Sequence, residues 1–181
     1  MKKFYGLIPF TDAFALYYFS KKGRVQQLLH NLKYQHQAKA LLFLGSQLGK
    51  QLQTKDFHNQ LDLIIPVPLH HSRHQERGYN QSELLAQGIS QTLEIPVNND
   101  ALIRHTHTTT QTAKTRQQRW ENVANAFCLP PTLHPTIQDK RILLVDDLVT
   151  TGATLTASAQ HLLAASVHSL SLATLAIAFQ E

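Results

Sequence analysis

One segment near the carboxyl end constrains the fold of this chain more than any other stretch of its sequence. An apolar strand is predicted over 141–145, and two aspartates, Asp146 and Asp147, follow its carboxyl end directly. A turn rich in threonine, residues 150–154, leads into a helix predicted over about 153–165 and then a final apolar strand over 167–179. Strands that are apolar along their whole length and alternate with helices are typical of buried parallel sheets. The segment therefore predicts an α/β protein with a mostly parallel central sheet flanked by helices.

The acidic pair and the turn after it are candidate ligand-binding groups. Open α/β sheets bind ligands beyond the carboxyl ends of their strands, which is where these aspartates lie. Asp146 and Asp147 can accept hydrogen bonds from a ribose diol or contact a divalent ion, although strand neighbours face opposite sides unless the strand has bent. The turn offers close backbone approach, successive N–H groups and a helix N-terminus, which favour phosphate. The residues predicted to bind phosphate are Thr150, Thr151, Gly152, Ala153 and Thr154.

A simpler interpretation of this segment is a threonine-capped helix beside two solvated aspartates. The full string has four apolar residues, two aspartates, two further apolar residues and then Thr-Thr-Gly-Ala-Thr, which favours the phosphate site. The turn lacks the Gly-Lys-Ser/Thr ending of a Walker loop and the Gly-x-Gly-x-x-Gly spacing of a dinucleotide turn. Neither of those two sites is therefore expected.

A second candidate anion site follows an earlier apolar strand. Pro68 and Leu69 lead into a loop that carries Arg73 and Arg77, and Asn80 is predicted to cap the next helix. Arginines beside a helix N-terminus suit an anion, and ordinary surface charges are the alternative.

Periodicity and turn residues predict the remaining elements. Strands are predicted over 13–19, 61–68, 101–103 and 124–129, and helices around 25–32, 38–52 and 80–93. A basic stretch without acids, 104–119, is predicted to be a long loop.

Composition limits the class of protein and of partner. A hydrophobic fraction of 43% in 181 residues is enough for a buried core. No apolar run approaches the roughly 20 residues of a membrane-spanning helix. The single cysteine, Cys128, excludes an internal disulfide and a cysteine-based zinc site from this chain alone, and favours a reducing, cytoplasmic location. Cys128 is expected to be a small core residue.

The net charge of +5 predicts an anionic partner. His70, His71 and His74 are expected to be solvated loop residues rather than metal ligands.

The string 146–154 resembles the phosphoribosyl pyrophosphate (PRPP) motif of the type I phosphoribosyltransferases. Pro-Val-Pro-Leu at 66–69 and Arg-Gly-Tyr-Asn-Gln-Ser at 77–82 are similar to the ComF family, including GntX-like proteins, within that group. A spaced signature agrees, formed by Arg104, Gln111, Thr112, Arg116, Arg119, Asn122, Ala126 and Phe127. The resemblance covers nearly the whole chain. It implies a five-stranded, mainly parallel phosphoribosyltransferase core, predicted over 56–181, with a small N-terminal hood and helices over 1–55.

The resemblance also implies roles for particular residues. Asp146 and Asp147 would act as catalytic groups that hold the ribose hydroxyls and contact Mg²⁺ indirectly, and the turn 150–154 would bind the 5-phosphate. Pyrophosphate would lie near Pro68, Leu69, Arg73 and Arg77, and a closing loop would supply the catalytic groups Lys114 and Arg116.

The implied function is magnesium-dependent transfer of the phosphoribosyl group from PRPP to an acceptor that the sequence does not identify, in a family linked to competence and DNA uptake. The alternative is a non-catalytic PRPP- or nucleotide-binding module that acts through protein partners of the DNA-uptake machinery. Direct binding of single-stranded DNA rests on charge alone, because interleaved aromatic residues are missing. The oligomeric state stays open, with a homodimer compatible with the sequence.

One feature departs from the family. ComF proteins typically begin with a four-cysteine zinc module, and this sequence starts where that module would end. A shortened chain and a naturally short member both fit this departure, and no zinc is expected from this chain.

Overall fold

The central sheet is built from four parallel strands. A computed structural model describes residues 8–19, 37–55, 57–105 and 126–178. The strands are β1 (Ala13–Phe19), β2 (Leu63–Pro66), β3 (Ile103–Arg104), β4 (Phe127–Cys128), β5 (Arg141–Val149) and β6 (Ser169–Ala178). The helices are α1 (Ala38–Thr54), α2 (His71–Arg77), α3 (Gln81–Leu93), α4 (His134–Ile137) and α5 (Ala153–Ala164), with 3₁₀ turns at Phe57–Gln60 and Pro131–Leu133. The sheet order is β1-β6-β5-β2, and β3 and β4 form a separate antiparallel pair.

The register brings the carboxyl ends of β2 and β5 together. β5 pairs in parallel with β6 as far as Val149, which lies opposite Ile177. On its other side β5 pairs in parallel with β2, where Pro66 lies opposite Val145. The loops that follow β2 and β5 therefore leave the same edge of the sheet, the edge at which parallel sheets bind ligands.

A single bridge extends the sheet beyond β2. Ile64 pairs in parallel with Val97, the Ile64 N–H donates to the Pro96 oxygen at 2.9 Å, and the Asn98 N–H donates to the Ile64 oxygen at 2.9 Å. The resemblance implied five core strands, and in the described residues the central sheet has four strands and this one-residue contact in the fifth position.

Both faces of the sheet are covered, which explains why its central strands are apolar throughout. Along β5, Ile142 and Leu144 belong to one core cluster together with residues of α5. Leu143 and Val145 belong to a second cluster together with residues of α1 and α3. All four side chains are fully buried, so alternate residues of one strand fill two different cores.

Helix α1 crosses α3 with the two backbones in contact. A Cβ atom at Gly45 would lie 2.3 Å from the carbonyl oxygen of Leu85, and one at Gly88 would lie 2.2 Å from that of Leu42. No side chain fits at those distances, so both positions require glycine. α3 also packs on β2 and β5, which places its N-terminus near the carboxyl ends of those strands.

The predictions for the larger elements are confirmed. β1 has the predicted bounds, α1 begins at Ala38, α3 follows Asn80, and α5 begins at Ala153. The mostly parallel sheet is also confirmed. The helix predicted around 25–32 lies outside the described residues. The division at residue 55 stays a prediction, while the structure shows β1 paired in parallel with β6.

Two predictions about the segments beside the acidic pair and the arginines are wrong. β5 does not end at Val145, because its pairing with β6 continues to Val149, and the two aspartates are therefore strand residues. The predicted loop after Leu69 contains α2, a seven-residue helix that buries none of its side chains. Helical periodicity could not reveal α2, since nothing on it faces a core. His70 accepts from the Ser72 N–H at its start, and Gly78, at φ 79°, closes its end.

Two smaller predictions are also wrong. Arg104 was assigned to the loop 104–119, but it lies on β3 and pairs with Phe127 of β4. Cys128 was expected in the core, but it is half-buried at the end of β4. Strands of two residues carry no alternation that a sequence pattern can detect.

Candidate functional site

A pocket lies at the carboxyl end of β5, where the strand turns into α5. It is a small pocket that opens to solvent. The lining residues are Asp146, Leu148, Val149, Thr150, Thr151, Gly152, Ala153, Thr154 and Leu155. All five residues predicted to bind phosphate therefore share one pocket with Asp146.

The turn into α5 leaves the helix N-terminus open. Gly152 is the N-cap residue at φ 84° and ψ −3°, a left-handed conformation that favours glycine, and no side chain caps the helix. The Ala153 N–H donates to Thr151 Oγ1 at 3.4 Å, which is a long contact. The N–H groups of Thr154 and Leu155 lie in the first turn, where a helix provides no acceptors of its own. These donors and the positive end of the helix suit an anion such as phosphate.

Asp146 is a buried carboxylate at the wall of this pocket. Its side chain is 7% exposed. Its Oδ1 accepts from Ser82 Oγ at 3.2 Å and from the Asp147 N–H at 2.9 Å. Burial, and after it the charge of the adjacent Asp147 carboxylate, raises the pKa of Asp146 well above its ordinary value of 3.8. Burial therefore disfavours the ionised form of Asp146, and a cationic or hydrogen-bonding ligand would stabilise that form.

Asp147 differs from Asp146 in its exposure. Asp147 is half-buried, as alternation along a strand predicts for neighbours on opposite faces. The charge of the Asp147 carboxylate nevertheless acts on Asp146 and raises its pKa beyond the effect of burial. Alternation along the strand therefore gives the two aspartates different exposures, while the charge of Asp147 still affects Asp146.

The loop after β2 runs beside this pocket. The Val67 N–H donates to the Val145 oxygen at 2.8 Å, which continues the pairing with β5 one residue beyond β2. The Val67 oxygen in turn accepts from Asn80 Nδ2 at 3.0 Å. Pro68 and Leu69 follow directly and are half-buried.

Asn80 is the N-cap residue of α3, as predicted. Its Oδ1 accepts from the Ser82 N–H at 3.1 Å, and its Nδ2 donates to Glu83 Oε1 at 3.1 Å. Asn80, Gln81 and Ser82 are each 3% exposed, so this helix start is built into the interior rather than into solvent.

The two arginines of α2 have different surroundings. Arg77 is half-buried, and its Nη1 donates to Gln81 Oε1 at 3.2 Å. Within the described ranges, Arg77 Nε and Gln81 Nε2 are buried atoms without an acceptor. Arg73 is also half-buried, and its charge acts on Arg104. The junction of α2 and α3 therefore holds more hydrogen-bond donors than its neighbours satisfy.

Arg104 is a site residue that the sequence pattern misplaced. β3 and β4 hold it over the Phe127 ring, with the guanidinium carbon 5.3 Å from the ring centroid. Burial lowers the pKa of Arg104, the positive charge of Arg73 lowers it further, and the negative charge of Asp146 opposes both effects. The charges of Arg73 and Asp146, which come from two other parts of the chain, thus both act on Arg104. The signal available in the sequence was weak, because apolar residues precede Arg104 but His105 follows it.

The remaining predicted residues divide into two groups. Lys114 and Arg116 lie outside the described residues. His70 caps α2, while His71 and His74 are exposed on that helix rather than in a loop. Across 8–19, 37–55, 57–105 and 126–178, no group of three or more His, Cys, Asp or Glu side chains is placed to hold a metal ion. Within those same ranges, no helix is both long enough and apolar enough to cross a bilayer.

Comparison with known proteins assigns the family. The sequence model of the phosphoribosyl transferase domain matches residues 79–179, which is more than half of the chain. Competence protein F of Haemophilus influenzae is 45% identical over 94 residues, covering 52% of this chain and 41% of that protein. DNA utilization protein YhgH of Escherichia coli O157:H7 is 35% identical over 143 residues, covering 75% of this chain and 60% of that protein. The chain therefore belongs to the phosphoribosyl transferase domain family, as a ComF-like member.

Solved structures agree on the fold. The allosteric regulatory enzyme of purine biosynthesis superposes with a TM-score of 0.52 at 19% identity, over 76% of this chain and 25% of that one. Glutamine PRPP amidotransferase from B. subtilis, complexed with ADP and GMP, gives the same TM-score and identity over 76% of this chain and 26% of its own. Identity at this level supports the fold alone. The matches to the two curated relatives named above span 41% and 60% of their lengths, which is less than two thirds in both cases.

Proposed function

We propose that the protein binds PRPP with Mg²⁺ at the shared carboxyl ends of β2 and β5 and transfers its phosphoribosyl group to an acceptor. The observation that carries the proposal is a pocket that is lined both by a buried carboxylate, Asp146, and by the open N-terminus of α5. A phosphorylated sugar offers hydroxyls that can donate to a carboxylate and a phosphate that can accept from a helix N-terminus.

The sugar end of PRPP would lie in the β5–α5 pocket. The 5-phosphate would accept from the N–H groups of the turn 150–154 and from its threonine hydroxyls. The ribose hydroxyls would donate to Asp146 and Asp147, which relieves part of the unfavourable burial of the Asp146 charge.

The pyrophosphate end would lie against the loop after β2. Pro68 and Leu69 would approach through the backbone, and Arg73 and Arg77 would supply positive charge. Arg104 joins this group, because its guanidinium is held near both Arg73 and Asp146. An anion between Arg73 and Arg104 would remove the repulsion that lowers the Arg104 pKa. Lys114 and Arg116 would complete the positive charge from a closing loop.

The residues present fit a magnesium ion held mainly by the ligand. Carboxylate oxygens suit Mg²⁺, and a site with two acids and no third ligand side chain among the described residues suits an ion that keeps waters and ligand oxygens. Asp146 and Asp147 would hold it indirectly, and the bound ion would supply charge neutralisation at the pyrophosphate.

The chain's own contribution to transfer would be positioning and electrostatics. The bond from ribose C1 to pyrophosphate breaks, and a nitrogen of the acceptor forms the new bond to C1. Positive charge from the arginines stabilises the departing pyrophosphate, and the paired aspartates stabilise a sugar that becomes cationic. Closure over the site would exclude water from that sugar.

A second candidate function is a PRPP- or nucleotide-binding module without turnover, acting through protein partners. The names of the relatives, which refer to competence and to DNA utilization, favour it.

Direct binding of single-stranded DNA would rest on the positive charge of the chain, and it would show a steep dependence on salt. We also propose a reducing, cytoplasmic location, on the strength of a single cysteine.

Calorimetric titration followed by an acceptor screen separates these functions. Under the main proposal, PRPP binds in the presence of Mg²⁺, and at least one nitrogenous acceptor causes release of pyrophosphate. Binding without pyrophosphate release across a broad acceptor panel supports the second function. Absence of PRPP and nucleotide binding contradicts both.

A further inference from the structure

A buried chain of hydrogen bonds connects the loop after β2 to the acid of the β5 pocket. Asn80 Nδ2 donates to the Val67 oxygen at 3.0 Å, and Asn80 Oδ1 accepts from the Ser82 N–H at 3.1 Å. Ser82 Oγ then donates to Asp146 Oδ1 at 3.2 Å. We name these three bonds, made by Asn80 and Ser82, the 80–82 relay. Both residues are 3% exposed.

The relay links parts of the chain that are far apart in sequence. Ser82 and Asp146 are separated by 64 positions, and they meet because β2 and β5 are neighbouring parallel strands. A serine in the first turn of a helix ordinarily satisfies local backbone groups or water. Here Ser82 turns instead to the carboxylate of another strand, in a buried setting where an unmatched polar group would be costly.

The contact determines which oxygen of Asp146 a ligand meets. Oδ1 accepts two hydrogen bonds, one from Ser82 Oγ and one from the Asp147 N–H at 2.9 Å. The donors come from two directions and hold the carboxyl plane in one orientation. Both of these hydrogen bonds fall on Oδ1, so Oδ2 is the oxygen that we expect a ligand hydroxyl to reach.

We propose that Ser82 is a positioning residue, which fixes the Asp146 carboxylate so that it accepts from a ribose diol. The inference rests on the proposed function, because it assumes that Asp146 contacts the sugar. It adds that Asn80, by holding both Val67 and Ser82, ties the orientation of that acid to the loop that faces pyrophosphate.

The test compares three ligands on one set of variants. Ser82→Ala removes the hydroxyl, and Ser90→Ala is the matched control, because Ser90 lies on the same helix, is half-buried and takes no part in the relay. PRPP, ribose 5-phosphate and pyrophosphate are each titrated calorimetrically in the presence of Mg²⁺. Ser82→Ala is expected to weaken PRPP and ribose 5-phosphate by about tenfold, the usual scale for one buried hydrogen bond to a charged group. Pyrophosphate affinity should stay within about twofold of the wild type, as should all three affinities of Ser90→Ala.

The ligand dependence distinguishes positioning from a merely structural role. Equal weakening of all three ligands, or unchanged affinity for the two sugars, overturns the inference. Ser82→Cys keeps the shape of the side chain, with a larger atom that is a weaker donor, and it should give an intermediate loss of affinity for PRPP and ribose 5-phosphate. It replaces Ser82→Ala in the test if that variant does not fold. Wild-type protein that binds none of the three ligands defeats the proposed function itself, and this result is seen before any variant is made.

Discussion

The carboxyl groups at the two ends of the β2–β5 pair have pKa values that are shifted in opposite directions. At the amino end, Asp62 accepts three hydrogen bonds from Arg141, from Nη2 at 2.6 Å, Nε at 3.0 Å and the backbone N–H at 2.8 Å. These bonds lower the pKa of Asp62 from 3.8 to about 2. At the carboxyl end, Asp146 is buried beside another acid, and its pKa is raised. The surroundings of Asp62 thus stabilise its ionised form, whereas those of Asp146 destabilise it.

This difference suggests that Asp62 contributes to the stability of the protein and that Asp146 contributes to ligand binding. Asp62 finds a full partner within the protein, in the bidentate geometry that best matches arginine to a carboxylate. The described hydrogen bonds to Asp146 come from a hydroxyl and a backbone N–H, which leave much of its charge uncompensated. An unfavourable charge beside an open helix N-terminus supports the proposal that the ligand binds at this end of the sheet. The predictions below test this contrast, from the largest expected effect to the smallest.

Asp146→Asn should weaken PRPP binding about 100-fold, because the amide loses the charge that faces the ribose hydroxyls and Mg²⁺. Asp62→Asn is the matched control at the other end of the sheet, and its affinity should stay within about twofold of the wild type. Calorimetry on the two variants measures both values. Similar affinities for the two variants would contradict the contrast.

Gly152→Ala should weaken PRPP binding about tenfold, since the left-handed turn at φ 84° would be strained and the cradle of N–H groups displaced. Gly78→Ala is its control, because Gly78 has a similar φ of 79° and open space around its Cβ position. Both variants should lose about 1 kcal/mol of stability from backbone strain. Only Gly152→Ala should lose affinity to this extent, and an equal loss in both would show that the effect is strain alone.

Asp62→Asn should lower the free energy of unfolding by about 1 kcal/mol at pH 7, a value reduced for solvent screening because Asp62 is 29% exposed. The pKa of Asp62 is depressed in the folded state, so its contribution is present above 3.8 and is lost as the pH falls through about 2. Urea unfolding from pH 7 to pH 2 should therefore show the wild type and the variant converging in acid. A gap that stays constant with pH would contradict the ion pair.

Asp146→Asn should raise the melting temperature of the ligand-free protein at pH 8, by up to about 4 °C. The pKa of Asp146 is raised in the folded state, so the stability of its neutral form is present below 3.8 and is lost as the pH rises through the folded value. The variant stays neutral, and its advantage should disappear toward pH 4. Thermal melts at pH 4 and pH 8 measure this change, and a variant less stable than the wild type at both values would refute the buried charge.

The local parts of the site could be predicted from the sequence, and the long-range parts could not. The strand, turn and helix around Gly152 and the helix cap at Asn80 could be predicted, because each depends on the types of residues that are adjacent in the sequence. The contact of Ser82 with Asp146 spans 64 positions, and the placement of Arg104 depends on a pair of two-residue strands. No periodicity in one sequence encodes such contacts, because they follow from strand order and tertiary packing. The end of β5 was misplaced for the same reason, since pairing with β6 extends the strand past the acids.

The most direct test of the central claim locates the ligand on the protein. Backbone amide NMR spectra are recorded as PRPP and Mg²⁺ are added. The account predicts that the largest shifts fall on Asp147 and on 150–155 at the carboxyl end of β5, while the amides of Asp62 and Arg141 at the amino end stay unchanged. Shifts centred on Asp62 and Arg141, or no saturable shifts at all, would contradict it.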